Sequence, residues 1–182
     1  MRRLVLLPLA LLGCSTSSTI ESTPVPETVR VVGSANPTGA ISMGVVPTAA
    51  SARSSSFFAT PDAVWQVLPA AYESLGVPLS MSDAATRTLG NAGFNARRRL
   101  GSVPLVRYID CGSTQGGPSA ETYDIRLVIN SVVRPGEAAT TLATTVEAMG
   151  KPVAFSGEYI HCSSTGVLET RIADAVKARL AK

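Results

Sequence analysis

Tyr123, Ile125, Leu127 and Ile129 alternate with Thr122, Asp124 and Arg126, a two-residue period that fits a strand with one dry face and one wet face. Arg134, Pro135, Gly136 and Glu137 then make a turn, and the Thr-rich residues 139–148 run back beside the first strand as its hairpin partner. An apolar hairpin face must be covered to be stable in water, so the fold turns on what the flanking segments can lay over it.

Two of those segments have helical spacing. Thr60, Pro61 and Asp62 start a helix as N-cap, first helical residue and first-turn acid. Val64, Leu68, Ala71, Tyr72 and Leu75 share one face of it, Trp65 and Val67 stand at the margins, and Gln66, Pro69 and Glu73 fall opposite. Pro69 removes a backbone hydrogen bond and predicts a bend facing water; Gly76 ends the helix. A closing helix buries Leu168, Ile172, Ala175, Val176 and Leu180 and leaves Glu169, Asp174 and Lys177 outside. Shorter strands are expected over residues 54–59, over 77–81, where Val77, Leu79 and Met81 alternate with Pro78 and Ser80, and over 86–94, with Gly90 and Gly93 at a bulge. Residues 103–109 read as a strand or short extended segment ending at Cys111, residues 112–120 as a loop and residues 153–160 as a last strand. The fold class is α+β: one antiparallel sheet of about five to six strands with two helices packed on one face. Residues 54–182 are long enough for a single core.

The N-terminus reads as an address. Arg2 and Arg3 precede an apolar run over residues 4–12, which is shorter than the roughly 20 residues a membrane-spanning helix needs. Leu11, Leu12, Gly13 and Cys14 resemble the lipobox of bacterial lipoproteins. That resemblance implies removal of residues 1–13, lipid on Cys14 as the membrane anchor, and, with Ser15 next, an outer-membrane address facing the periplasm. An ordinary secretory signal, with Cys14 as a core thiol, is the other reading. Residues 14–53, rich in Ser, Thr, Pro, Ala and Gly, have too few large apolar groups to offset the entropy of ordering and read as a flexible tether.

Arg2 and Arg3 also supply two of the 16 Lys and Arg that stand against 13 Asp and Glu, so the mature chain is nearly neutral and lacks the electrostatic footprint of a nucleic-acid binder. Arg97, Arg98 and Arg99 form its basic run, read as a solvated strand end or turn. With Cys14 lipidated, Cys111 and Cys162 remain, and outside the cytoplasm an even remainder reads as a disulfide. Metal binding is the rival reading, but neither cysteine has a second at zinc spacing and only His161 adjoins one.

Catalytic constellations are missing from the sequence. His161 is the single histidine, and there is no nucleophile elbow, no Ser-x-x-Lys, no phosphate loop and no His-Glu-x-x-His. Asp62, Glu73, Asp83, Asp110, Asp124 and Glu158 are scattered over different elements. These negatives predict no catalytic residue, no cofactor and no metal. Trp65 and Tyr72 are the candidates to floor a cavity for an apolar ligand between helix and sheet.

Residues 60–68 followed by Leu75, Gly76, Val77, Pro78, Leu79 and Asp83 resemble the helix-grip repeat of the BamC lipoprotein family, in which an aspartate and a tryptophan begin a helix, a Leu-Gly-Val step ends it and a strand follows. The resemblance implies a domain that binds protein partners at the outer membrane and has no catalytic residues. This chain departs from that family in having one such domain and a cysteine pair. The expected function is a lipid-anchored cell-envelope protein acting as a non-catalytic protein-binding or envelope-assembly module. The alternatives are a carrier or sensor of a lipid or other apolar ligand and, behind it, an enzyme.

Overall fold

In the computed structural model, which describes residues 52–154 and 156–182, the predicted hairpin is the spine of the sheet. The elements are β1 (Arg53–Phe57), α1 (Pro61–Ser74), β2 (Met81–Asp83), β3 (Thr88–Arg97), β4 (Arg99–Leu100), β5 (Val103–Pro104), a 3-10 turn (Leu105–Arg107), β6 (Ile109–Asp110), β7 (Ser113–Thr114), β8 (Gly117–Pro118), α2 (Ser119–Thr122), β9 (Tyr123–Arg134), β10 (Thr140–Pro152), β11 (Ile160–Ser164) and α3 (Val167–Leu180). The expected signal, the expected lipid site at Cys14 and nearly all of the expected tether lie outside the described residues. No helix among the described residues is long and apolar enough to cross a membrane.

β9 and β10 pair antiparallel from Thr141 opposite Arg134 to Pro152 opposite Tyr123. β3 flanks β9, and short strands extend the sheet to nine, in the order β5-β4-β3-β9-β10-β11-β6, with β1 also on β10 and β2 on β3. The outer edge of β10 is shared: β1 takes Thr140–Thr144 and β11 takes Ala148–Gly150. Ile125, Leu127, Ile129 and Val133 on β9 and Leu142, Val146 and Ala148 on β10 are buried on one face, against Leu68, Ala71 and Tyr72 of α1 and Leu168, Ile172 and Val176 of α3. The fold is therefore the expected α+β arrangement, with both helices on one side of an antiparallel sheet. An Arg179 guanidinium donates to the Ala70 carbonyl at 2.7 Å and ties the two helices together.

α1 follows its sequence pattern. The Thr60 hydroxyl accepts from the Ala63 amide at 3.2 Å, Pro61 opens the helix, and Gly76 follows it with φ +72°. The expected bulge in β3 falls between Asn91 and Phe94. Gly93 there has φ +149°, and a side chain would meet the Arg126 guanidinium.

Four expectations are corrected. Residues 77–80 form no strand; Val77 is buried but Leu79 is exposed, because Pro78 breaks the ladder. Its carbonyl accepts instead from the Asn91 side chain at 2.9 Å. Residues 103–109 split into β5, the 3-10 turn and β6. The last strand is Ile160–Ser164, later than residues 153–160, since the turn out of the long β10 uses up that stretch. Glu169 is buried, not outside, Ala173 joins the helix's buried set, and Ala175 and Leu180 are half-buried against the core. The Glu169 carboxylate accepts from the Ser164 hydroxyl at 2.6 Å, and that hydroxyl accepts from the Gly166 amide, so the side chain turns inward onto the end of the strand before its helix.

Candidate functional site

β11 leaves the main sheet to pair with β6, Ser163 opposite Asp110 and Ser164 opposite Ile109. Continuing that register puts Cys162 opposite Cys111, and the two are joined by a disulfide with Cα atoms 4.3 Å apart. The bond pins the irregular stretch after β5 to the sheet. Beyond it, residues 112–120 are more ordered than a plain loop. β7 and β8 form a two-stranded ribbon, the Ser119 amide donates to the Gly112 carbonyl at 2.9 Å, and α2 follows. Ser119 and Ala120 are buried, whereas Ser113, Thr114, Gln115 and Gly116 are exposed.

Between this ribbon and the β6 edge is a recess of about 400 Å³, walled by Val106, Ile109, Cys111, Pro118 and Ala120, with Asp110 and Thr165 at its polar margin. Two of its polar side chains are engaged within the fold. Asp110 accepts from the Gly112 amide at 2.8 Å, and the Thr165 hydroxyl reaches the Arg107 and Tyr108 carbonyls at 2.8 and 3.0 Å. What remains free is an apolar concavity with an exposed, adaptable rim. A second recess, about 480 Å³, runs along the outer side of α1 between Gln66, Pro69, Glu73 and residues 77–79.

The sequence candidates separate. Tyr72 is fully buried, and its hydroxyl is 2.7 Å from that of Ser131, itself 2.7 Å from the Thr144 hydroxyl. Burial pushes the phenol up to about 12, a rise the Ser131 hydrogen bond partly offsets. Trp65 is half-buried against the core, and neither aromatic lines either recess. His161 is exposed opposite Met149, on the other side of β11 from Cys162 by strand alternation, and so faces away from the disulfide.

The acids are spread out. Asp62 pairs with Arg87 at 2.8 Å and Asp124 with Arg97 at 3.6 Å. Asp83 receives the Thr86 hydroxyl and the Ala85 amide, which hold its carboxyl below the usual range. Among the described residues, no group of three His, Cys, Asp or Glu is arranged to hold a metal ion. Of the basic run, Arg98 is exposed at φ +62° and turns the chain from β3 into β4, while Arg99 donates to the Ser102 carbonyl.

The recess has no periodic signature in the sequence, since its walls come from four short elements. The sequence signal for it is the long Gly-rich loop over residues 112–120 that follows Cys111. Compared with known proteins, the chain matches no protein-family model and no curated protein.

Proposed function

We propose that this chain is a lipid-anchored cell-envelope protein, held through Cys14 in the outer membrane and facing the periplasm, whose domain binds a protein partner and performs no chemistry. The observation that carries the reading is the recess beside the Cys111–Cys162 bond: apolar walls, an exposed ribbon residue, Ser113, at its rim, and Asp110 and Thr165 each held by hydrogen bonds within the fold. Exposed rims on a rigid support are where binding residues concentrate. The resemblance to the BamC family points the same way.

A carrier of a small apolar ligand is the second reading, favoured by the recess volume, which falls in the range of small-molecule sites. Co-purification from crosslinked envelopes after mild detergent extraction separates the two, since a binding module yields a defined protein adduct and a carrier yields a lipid or other small molecule. His161→Ala should leave cellular function intact, and loss of function in a folded, correctly located His161→Ala protein would mark an enzyme. Labelled palmitate should enter the wild type and not Cys14→Ala; equal labelling would remove the anchor from the proposal.

A further inference from the structure

We infer that one end of the sheet, where β10 turns into β11, docks on an anionic lipid surface. The apolar half of the argument is the connection itself. Val153, Tyr159 and Ile160 are 39%, 46% and 39% exposed where the connection leaves β10 and enters β11, with Ile160, opposite Gly150, on the helix side of the tip, and large apolar groups gathered at one end of a domain mark a contact. Lys151 places its ammonium 5.6 Å from the centre of the Tyr159 ring. An amphipathic ring and a snorkelling lysine are the side chains suited to the level of lipid headgroups.

The second half is charge. Register sets Arg97, Asp124 and Lys151 in one row across the sheet and Asn95, Arg126 and Met149 in the next. Arg98 stands exposed at the corner beyond Arg97. Against these cations stand Asp124, which Arg97 already pairs, the exposed Glu121 and Glu158, and, one row further in, the exposed Glu147 opposite Val128. The other end of the same face is different. Its rows are Thr88, Val132 and Ala143, then Arg134, Thr141 and Ser56, and Phe58 is exposed there alone. Cations beside aliphatic and aromatic groups complement an anionic headgroup layer over acyl chains, where each surface Lys or Arg adds attraction.

The direction of β1 is consistent with the same end. Arg53 stands opposite Thr144 and Phe57 opposite Thr140, so the chain enters the strand from the side nearer Lys151. From Thr144 to Pro152 is ~27 Å at strand rise, a distance the residues between Cys14 and β1 can span several times over. This last point alone rests on the lipid anchor; the docking surface itself does not.

The test uses residues 14–182 carrying Cys14→Ser, so that no lipid is attached, mixed with vesicles of phosphatidylglycerol and phosphatidylcholine or of phosphatidylcholine alone. Co-sedimentation should be at least about tenfold stronger with the anionic vesicles and should weaken with salt. Arg98→Glu with Lys151→Glu should reduce it about tenfold, and Tyr159→Ser with Ile160→Ser should remove what survives high salt, each in protein whose thermal unfolding is unchanged. Arg134→Glu and Phe58→Ser, at the far end, should leave binding as it was. Equal binding to both vesicle types, or binding that the Arg98 and Lys151 reversals do not alter, overturns the inference. So does wild-type protein that ignores vesicles while the same reversals abolish an envelope protein crosslink, which would make this end a protein contact. Palmitate labelling of Cys14 is read separately, so the anchor and the docking surface can fail independently.

Discussion

The β9–β10 hairpin and residues 103–122 contribute to the same core by opposite means. In the hairpin, alternate residues are buried along almost the whole of both strands, and every pairing repeats the one before it. In residues 103–122 no element exceeds four residues, yet Leu105, Tyr108, Ile109 and Ala120 are as buried as anything in β9. That stretch is held at separate points. The Leu105 amide donates to the Arg98 carbonyl at 2.8 Å, the Thr165 amide to the Tyr108 carbonyl at 2.9 Å, Arg171 reaches the Tyr108 hydroxyl, and the disulfide fixes its middle. A periodic element is determined many times over, whereas a pinned one depends on each pin and keeps its intervening residues free for other uses.

The largest expected effect comes from removing the strongest pin. Cys111 and Cys162 enclose a loop with a sequence separation of 51, and losing that closure should lower stability by about 4 kcal/mol in the chain-entropy account. Cys111→Ser with Cys162→Ser, followed by denaturant unfolding, measures it. Amide exchange should speed first in residues 103–122 and last in β9 and β10. Equal acceleration in both regions would break the distinction. The unreduced wild type should titrate no free thiol in the described domain.

Next is a hole in the hairpin. Leu127 is fully buried and faces the helices, so Leu127→Ala should cost about 3 kcal/mol. Here exchange should rise across the whole domain, because a periodic core opens as a unit. Protection lost only around residue 127 would mean that the hairpin, too, is pinned locally.

Tyr72 gives a pH-dependent version of the same test. Its folded pKa, about 12, lies above the unfolded value of 10.0, so the unfolded chain loses this proton first. The stability contributed by the neutral, buried phenol is whole below pH 10 and is lost as pH rises from 10 towards 12, by about 2–3 kcal/mol in all. Tyr72→Phe breaks the Ser131 bond and should cost about 1 kcal/mol at pH 8. Above pH 10 that deficit should close and then reverse. A deficit constant from pH 8 to 11 would mean that the phenol does not titrate as a buried group.

What the sequence revealed follows the same division. α1 was legible because Thr60, Pro61 and the spacing of Val64, Leu68, Ala71, Tyr72 and Leu75 all specify one helix, and β9 because its alternation is almost unbroken. The disulfide pairing was legible by count, given the compartment the N-terminus implied. Pro78 misled the reading of residues 77–81, since apolar alternation says nothing about which amides can join a ladder. Glu169 was illegible for a related reason: helical spacing puts it at a margin, but its bond to Ser164 comes from a strand whose end the sequence did not locate. The recess depended on register between β6 and β11, which no local pattern encodes.

The smallest expected effect on stability is at the tip of the ribbon. Ser113 and Gln115 are exposed, and in the ribbon turn the side-chain hydrogen bonds belong to Thr114, whose hydroxyl accepts from the Gly116 amide at 3.3 Å. The two positions adjoin a pinned framework without being pins. Ser113→Arg with Gln115→Arg should therefore change unfolding free energy by no more than about 0.5 kcal/mol. A long cation at the Ser113 rim of an apolar recess, with a second close by at residue 115, should nonetheless block what enters it, because desolvating a charge against apolar walls is unfavourable. Recovery of the crosslinked partner should fall several-fold while the melting temperature stays put. Deleting residues 113–117 is the harsher variant, and it spares the buried Ser119 and Ala120 that close the loop. A stability loss above about 2 kcal/mol from the Arg pair would show the ribbon to be as over-determined as the hairpin. Unchanged partner recovery in a stable protein would move the binding surface away from the recess.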